Sequence, residues 1–375
     1  MKILQLHTGF NLVGGVESMV VALANEMSKN HDVTVCSVFK PNENSIFYTK
    51  IDERVDKIHL GVCKPGFSLR NIFRIYQFLR ISNFDIVHIH GMFHYFVLSI
   101  LLLHKKMKFI YTFHSDAYME LSNWDKRIFF LKKFCLKHKW MNPVTISPQS
   151  KQSFTSCYLM DSKMIENGIP QPQIDKSRNS LATYKLSKQT KVFIHPGRIC
   201  IPKNQLVLCK VFKRLIDEGA DIMLLIAGTK QDLPIFNSIS NFLCDRIIYL
   251  GERNDVPQLL HDSDGFCLPS IWEGLPVTLL ESLSVGCIPI CSPVGGIVSL
   301  VKSGYNGVLS KSSCEEDYYD ALNFFLTLSE QQIIEMKRNC LLSFAPYNIN
   351  ETTIKYLSYY AELLNEVSSH KLDSN

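Results

Sequence analysis

The most constraining feature of this chain is a repeated alternation of short apolar segments with longer amphipathic ones. The apolar segments have the composition of buried parallel strands, which read as near-continuous hydrophobic runs. In the first half they occupy residues 2–7, 32–36, 85–90, 108–113 and 144–146, and in the second half 192–194, 222–226, 246–250, 265–268, 288–290 and 307–309. Strands that alternate with helical stretches in this way predict a doubly wound α/β architecture.

A polar stretch rich in Lys, Ser, Asn and Gln, from residue 171 to 190, separates the two series of strands. The chain has 375 residues, more than one typical domain requires. We therefore predict two Rossmann-like domains, 1–171 and 190–345, that face each other across a cleft. A final amphipathic helix, within 350–368, is expected to close the structure by packing back on the first domain. Parallel sheets bind ligands at the carboxyl ends of their strands.

Cysteine usage and hydropathy narrow the class of protein further. The 12 cysteines are scattered and form no C-x-x-C pair, and the N-terminus runs directly into a predicted strand, so a reduced, cytoplasmic protein is expected. The most apolar window, residues 95–103, is far shorter than the roughly 20 residues that cross a bilayer. We expect no transmembrane helix.

The most informative segment of the second half runs from Pro269 to Glu281. It follows a predicted strand and leads into a helix, with Pro276 suited to the first helical turn. The free N–H groups of such a helix can bind a phosphate or sugar oxygens. Glu273 in the loop and Glu281 about one turn inside the helix could accept hydrogen bonds from vicinal hydroxyls. In isolation, two such glutamates are more often solvated.

A second loop, beginning at Gly197, places Arg198 and Lys203 after another strand. A guanidinium and an ammonium at the carboxyl end of a sheet are a suitable pair for binding a diphosphate. Taken alone, two basic loop residues would most often be solvated surface charges.

In the first half, Gly14 and Gly15 lie between the first strand and its helix, where they permit a close approach of the backbone to a ligand. They are not part of a G-x-G-x-x-G motif, so a dinucleotide cofactor is not supported. Three histidines, His88, His90 and His114, stand at or near the ends of strands. They could form a metal site, although such residues are more often hydrogen-bonded structural groups.

Together these segments resemble the retaining GT-B glycosyltransferases of family 4, which include many bacterial surface-polysaccharide enzymes. The resemblance covers most of the chain, and its most specific parts are Gly197-Arg198 with Lys203-Asn204 and Glu273-Gly274-Leu275-Pro276 ending in Glu281. It implies that Arg198 and Lys203 hold the donor diphosphate and Glu281 the nucleotide ribose. It further implies that Glu273 and the backbone of Gly274, Leu275 and Pro276 bind the transferred sugar. His114 would face that sugar, and Gly14 and Gly15 would approach the phosphates or the acceptor.

The implied reaction transfers a sugar from a nucleotide-diphosphate sugar, such as a UDP- or GDP-sugar, with retained anomeric configuration and without a bound metal or cofactor. The acceptor would be a hydroxyl of a glycan or of a polyprenyl-diphosphate-linked oligosaccharide in O-antigen or capsule synthesis. The alternatives are a nucleotide-sugar 2-epimerase of the same fold and a non-catalytic nucleotide-sugar-binding scaffold. The base, the sugar, the acceptor and the linkage stay open.

Charge is unevenly distributed along the chain. Residues 57–139 carry 14 Lys and Arg against four acids, interleaved with apolar and aromatic residues in two stretches. The first contains Leu69, Ile72, Phe73, Tyr76 and Leu79 beside Arg70, Arg74 and Arg80; the second contains Lys126, Arg127, Lys132, Lys133, Lys137 and Lys139 among Phe129, Phe130, Leu131, Phe134 and Trp140. Basic amphipathic helices can bind an anionic membrane, so peripheral attachment to the cytoplasmic membrane is one hypothesis. The alternative is that the apolar face packs inside the domain. No nucleic-acid-binding motif accompanies the charge, and no nucleic-acid partner is expected.

Overall fold

The structure is a computed structural model that describes residues 1–10, 15–41, 45–62, 68–121, 123–184 and 186–372. The side chains of residues 46, 47 and 367–372 lie outside that description. The chain divides into two compact units, which we call the first unit and the second unit. The first unit comprises Met1–Pro170 with Tyr347–Asn375, and the second comprises Gln171–Pro346.

The first unit contains a seven-stranded parallel sheet. Its strands are β1 (Lys2–His7), β2 (Asp32–Phe39), β3 (Asp56–Val62), β4 (Ile86–His90), β5 (Lys108–Phe113), β6 (Met141–Thr145) and β7 (Lys163–Met164). Their order is β3-β2-β1-β4-β5-β6-β7, so the direction of winding reverses between β1 and β4. In sheets of this kind the ligand crevice lies at the carboxyl end of that reversal.

Helices cover both faces of this sheet. They are α1 (Gly15–Met27), α2 (Ile46–Thr49), α3 (Leu69–Ile81), α4 (Val97–Leu103), α5 (Asn123–Arg127), α6 (Phe129–Lys137) and α7 (Pro148–Tyr158). Buried side chains of α3, α4 and α6 share one hydrophobic cluster, which places these three helices on the same face. Helix α1 belongs to the cluster on the opposite face. Because consecutive strand residues point to opposite faces, neighbours such as Ile3 and Leu4 enter different clusters.

The second unit contains a six-stranded parallel sheet with the same winding. Its strands are β8 (Lys191–Pro196), β9 (Ile222–Ala227), β10 (Ile247–Gly251), β11 (Gly265–Leu268), β12 (Pro289–Cys291) and β13 (Val308–Leu309), in the order β10-β9-β8-β11-β12-β13. Its helices are α8 (Gln205–Asp217), α9 (Leu233–Ser240), α10 (Val256–Asp262), α11 (Val277–Ser284), α12 (Ile297–Leu300), α13 (Glu315–Leu326) and α14 (Glu330–Phe344). The reversal lies between β8 and β11, directly before the loops that carry Arg198 and Glu273. The predicted doubly wound α/β class is confirmed.

The last helix, α15 (Ile349–Leu372), packs against the first unit. Tyr356 and Tyr360 are fully buried in the cluster that contains α1. Thr352 is also buried, and its hydroxyl donates to Glu166 O at 3.0 Å. The C-terminal helix therefore forms part of the core beneath the reversal of the first sheet.

The sequence did not predict two strands of the first unit. β3 begins with two charged residues and exposes three of its seven residues, because it forms the edge of the sheet. β7 has only two residues, both exposed, and gives no periodic signal. None of the helices within the described residues combines the length and the apolar character that a bilayer crossing requires.

Candidate functional site

Lys203 and Glu273 meet at the carboxyl end of the second sheet. Lys203 ends the short 3-10 turn after β8, and Glu273 lies in the loop after β11. Lys203 Nζ is 2.5 Å from Glu273 Oε1, and Ser270 Oγ donates to the same carboxylate oxygen at 2.7 Å. The side chains of Lys203 and Glu273 are only 16% and 11% exposed. The structure thus joins two predicted site residues in one shielded ion pair, a pairing that the sequence alone did not indicate.

A hydrogen-bond network beneath the loop fixes the backbone at Arg198. Gln205 Nε2 donates to Arg198 O at 2.8 Å and to His195 Nε2 at 3.1 Å. Because His195 Nδ1 faces the carbonyl oxygen of Cys267 at 2.8 Å, it is the protonated ring nitrogen. Burial lowers the pKa of His195 to about 4, so the ring is neutral at pH 7. The backbone is held from below while the Arg198 side chain is exposed.

Asn204 ties the two loops together. It adopts a left-handed backbone conformation with φ 56°, which asparagine tolerates better than most residues. Its Nδ2 donates to Pro269 O at 3.1 Å and to Ser313 O at 3.0 Å. Ile271 N also donates to Pro202 O at 2.8 Å. These contacts hold the Lys203 turn against the Glu273 loop.

Two glycines after β12 support the other side of the Glu273 loop. Gly295 has φ +53°, and a Cβ added there would lie 1.8 Å from Glu273 O. Gly296 N donates to Gly274 O at 2.7 Å, and a Cβ at Gly296 would lie 2.6 Å from that oxygen. Only glycine permits this approach of the two backbones. The sequence did not lead us to either residue, although paired glycines in the loop after a predicted strand were an available signal.

Helix α11 begins one residue later than predicted. Pro276 is the residue before the helix, with φ −71° and ψ 122°, and Val277 is the first helical residue. An extended conformation at Pro276 is compatible with the ring, which restricts only φ. Leu275 is buried and Gly274 exposed, while Glu281 is half-buried on the second turn. The roles predicted for these residues in donor binding stay predictions.

The three predicted histidines of the first unit form hydrogen bonds with one another or with neighbouring hydroxyl groups. His90 Nδ1 lies 2.9 Å from His114 Nε2, and His88 Nε2 lies 2.7 Å from Thr112 Oγ1. Tyr360 on α15 contacts His88 Nδ1 through its hydroxyl at 2.7 Å. Within the described ranges, no group of three or more His, Cys, Asp or Glu side chains is arranged to hold a metal ion. The structure therefore agrees better with hydrogen-bonded histidines than with histidines that bind a metal ion.

Burial keeps these imidazoles neutral. It lowers the pKa of His114 to about 3, with a smaller contribution from the charge of His7. The pKa values of His88 and His90 also fall well below the usual range, mainly because both rings are buried. Of the predicted glycines in this unit, Gly15 is the exposed first residue of α1, and Gly14 lies outside the described residues.

The prediction that the basic residues of α6 lie on the surface is wrong for Lys132. The residue is fully buried, and its Nζ lies 4.2 Å from the centre of the Tyr111 ring and 4.7 Å from that of Phe113. Burial lowers the pKa of Lys132 and raises that of Glu120 to about 7, and the two charges attract each other. Glu120 Oε1 accepts a hydrogen bond from Ser115 N at 2.9 Å, next to His114. Lys132 therefore belongs to the support of the His114 loop.

The predicted apolar face of α3 is only partly buried. Ile72 and Leu79 pack inside, joined by Ile75, whereas Leu69 and Phe73 are 72% and 51% exposed. Helices α4 and α6, on the same face of the sheet, also expose large apolar side chains. We call the following set the apolar surface of the first unit: Leu69, Phe73, Leu102, Phe130 and Phe134.

Comparisons with known proteins agree with the two-unit organisation. The family model described as "Glycosyltransferase Family 4" matches residues 13–171, and the model described as "Glycosyl transferases group 1" matches residues 177–340. An Escherichia coli protein, "UDP-Gal:alpha-D-GlcNAc-diphosphoundecaprenol alpha-1,3-galactosyltransferase", is 26% identical over 309 residues, which cover 72% of this chain and 73% of the relative.

Solved structures show the same fold. A glycosyltransferase from Rickettsia africae ESF-5 superimposes with a TM-score of 0.83 at 19% identity, covering 97% of this chain and 98% of that one. The Anabaena protein HepE, solved in complex with UDP and glucose, gives a TM-score of 0.78 at 17% identity, covering 96% and 100%. The fold and the family models define a glycosyltransferase of the GT-B class. The chain belongs to glycosyltransferase family 4.

Proposed function

We propose that this glycosyltransferase moves a sugar from a UDP-sugar to a hydroxyl of a polyprenyl-diphosphate-linked glycan in surface polysaccharide synthesis. The observation that carries the proposal is the shielded Lys203–Glu273 pair beside the N-terminus of α11. The E. coli relative is named for a UDP-galactose donor and a diphosphoundecaprenol-linked acceptor, and HepE was solved with UDP and glucose. These names support the choice of donor and acceptor class.

In this proposal the second unit binds the donor. Arg198 and Lys203 neutralise the diphosphate, and Glu281 accepts hydrogen bonds from the ribose hydroxyls. Lys203 and Ser270 both contact Glu273 Oε1, which leaves Oε2 for a hydroxyl of the transferred sugar. The two cations stabilise the charge that develops on the leaving diphosphate, so the reaction requires no metal ion.

The same arrangement supports a proposal for the stereochemical course. A transition state with oxocarbenium character is stabilised by charges placed before the reaction starts, rather than by a strong base. The acceptor hydroxyl then attacks from the face that the diphosphate leaves, and the diphosphate oxygen takes the hydroxyl proton. We therefore propose that the anomeric configuration of the sugar is retained.

A transfer assay with purified protein tests the proposal. UDP-galactose, UDP-glucose and their N-acetylated forms are offered with a polyprenyl diphosphate that carries one sugar, in buffer containing EDTA. Glu273→Ala should mainly abolish turnover, whereas Glu281→Ala should mainly weaken UDP binding. Glu335→Ala, an exposed glutamate on α14, is the matched control and should behave as the parent.

The outcomes separate the parts of the proposal. Normal activity of both Glu273→Ala and Glu281→Ala would refute the site. Loss of activity in EDTA, restored by Mg²⁺, would refute metal independence, and an inverted anomeric centre in the product would refute retention. Conversion of the UDP-sugar without any acceptor would favour the 2-epimerase alternative instead.

We further propose that the first unit rests on an anionic membrane through its apolar surface. Leu69, Phe73 and Phe130 expose between half and three quarters of their area, although water disfavours such clusters. Arg70 and Arg74 are exposed on α3, as is Lys137 at the end of α6, and such cations attract anionic lipid head groups. An acceptor anchored in that membrane would then lie close to the enzyme.

Flotation with vesicles of anionic phospholipid tests the membrane proposal. The parent protein should float with the vesicles at low salt, and Phe73→Ser with Phe130→Ser should remain at the bottom. Ile334→Ser is the matched control, because Ile334 is 61% exposed on α14 of the second unit. Absence of binding by the parent, or equal binding by the double variant, would contradict the proposal.

A further inference from the structure

A buried chain of three polar side chains leads from the centre of β1 to His114. Gln5 on β1 is fully buried, and its Oε1 lies 2.8 Å from His90 Nε2. His90 Nδ1, on the other side of the ring, lies 2.9 Å from His114 Nε2. In the pairing of β1 with β4, Gln5 lies opposite His88, two residues before His90 on the same face of the strand, and His114 directly follows the neighbouring strand β5. In each of these hydrogen bonds one partner donates a proton and the other accepts it.

The surroundings of Gln5 decide the direction of the chain. Its Nε2 lies 3.5 Å from Met27 Sδ, and a thioether accepts hydrogen bonds but donates none. The reversed amide would set its oxygen against the sulfur lone pairs. The Gln5 oxygen therefore faces His90 and must accept from it.

The protonation of both histidines follows step by step. Because Gln5 Oε1 accepts, His90 carries its proton on Nε2. A neutral His90 then accepts through Nδ1, so His114 must donate from Nε2. A neutral His114 in turn keeps a lone pair on Nδ1. That nitrogen is buried and has no hydrogen-bond partner among the described residues. If every hydrogen bond from Gln5 to His114 ran in the opposite direction, His114 Nδ1 would instead be a buried N–H without an acceptor. Such a group is rarer in proteins than an unpaired acceptor.

We propose that Gln5 and His90 are positioning residues that hold His114 as the Nε2–H tautomer, so that Nδ1 accepts a hydrogen bond from a hydroxyl of the bound sugar. This inference rests on the proposed function, because the hydroxyl is supplied by the sugar. It assigns His114 an accepting role in sugar orientation rather than that of a cation or an acid. Gln5 acts without touching the substrate.

Nitrogen NMR of protein labelled in histidine with ¹⁵N reads the tautomers directly, because a protonated ring nitrogen and one with a free lone pair resonate far apart. The expected result is protonated Nε2 and unprotonated Nδ1 at both His90 and His114 near pH 7. Protonated Nδ1 at His114 would overturn the proposal. This measurement uses the parent protein, so it requires neither a stable variant nor activity.

Substitutions at His114 and Gln5 test whether His114 Nδ1 accepts a hydrogen bond from the sugar. The oxygen of Asn occupies the place of Nδ1, whereas the amide of Gln reaches the place of Nε2, so His114→Asn should retain more turnover than His114→Gln. Gln5→Leu should lower kcat by about tenfold, the effect of one misdirected hydrogen bond, with UDP affinity unchanged. Equal kcat in parent and Gln5→Leu would refute the positioning role. A parent without transfer activity would refute the proposed function, while the tautomers would still be readable.

Discussion

Substitution of Gly295 by alanine tests how the Glu273 loop is held. Gly295 combines a left-handed backbone with direct contact, since a Cβ there would lie 1.8 Å from Glu273 O. Gly304 offers a matched control in the same unit. Its φ is +78°, which is also unfavourable for alanine, but a Cβ there meets no atom within 4 Å. The two variants differ in the collision alone.

The magnitudes follow from this difference. Alanine in a left-handed conformation costs about 1 kcal/mol, so Gly304→Ala should lower the melting temperature of a unit of this size by about 2–4 °C. Real Cβ contacts essentially never fall below 3.0 Å, so Gly295→Ala must displace the Glu273 backbone by more than about 1 Å. Such overpacking adds about 1–3 kcal/mol to the backbone cost. The displaced carboxylate would also lose its alignment with Lys203.

Calorimetry of UDP-sugar binding, together with thermal unfolding, measures both effects. Gly304→Ala should bind the donor within about twofold of the parent, and Gly295→Ala should bind it at least about tenfold more weakly. Parental donor affinity in Gly295→Ala would show that the Glu273 loop is not part of the donor site. Equal melting temperatures in the two variants would show that the backbone contact does not constrain the loop.

Three further substitutions probe the supports of the two loops. Lys132→Met should raise the pKa of Glu120 further, because it removes the cation whose charge lowers that pKa. In urea unfolding, the fall in stability with rising pH should then extend to higher pH, whereas Lys137→Met on the surface should leave it unchanged. Burial raises the pKa of Glu120 to about 7, so the native state binds this proton more tightly than the unfolded state does. The free energy of unfolding should therefore fall by about 3 kcal/mol as the pH rises from about 4.5 to 7. Glu120→Gln should abolish that slope, and an unchanged slope would contradict the assignment. Asn204→Ala should lower turnover and stability together, because it frees the Lys203 turn from Pro269. Asn204→Gly accommodates the left-handed backbone but also lacks the amide, so its turnover and stability should still lie below those of the parent.

The central strands could be predicted because both of their faces are buried. β9 is a continuous apolar run, and the apolar runs of β1 and β4 are interrupted only by the buried Gln5 and His88, which is the pattern of an interior parallel strand. β3 could not be found in this way, since an edge strand exposes alternate residues and admits charges. Strand assignment from sequence thus failed where the sheet meets solvent.

The site loops could be placed for a related reason. Arg198 and Glu273 directly follow strands beside the reversal, and in a parallel sheet such positions share one edge. Their supports were not predictable to the same degree. The pairing of Lys203 with Glu273 spans 70 residues, and the contact of Gly295 with Glu273 depends on the path of two loops.

Lys132 shows most clearly where sequence reasoning stops. It stands among aromatic and basic residues, and nothing local distinguishes it from Lys133 one position later. Its burial depends on Tyr111 and Phe113 of β5, whose rings lie within 5 Å of the ammonium group. Helical periodicity indicated an amphipathic α6 but not which of two adjacent cations would turn inward.

The proposed function gives the two units different tasks, and the distribution of charge is compatible with them. At the carboxyl end of the first sheet His90 and His114 are neutral, whereas Arg70 and Arg74 on α3 and Lys137 on α6 are exposed cations. At the carboxyl end of the second sheet, by contrast, lie the exposed cation Arg198 and the cation Lys203, which is paired with Glu273. A leaving diphosphate requires those charges, whereas the hydroxyls of a sugar require directed hydrogen bonds without net charge. The net positive charge of the first half therefore does not argue for phosphate binding at its sheet. It argues for an anionic partner on the outer surface of α3 and α6, which the flotation experiment measures.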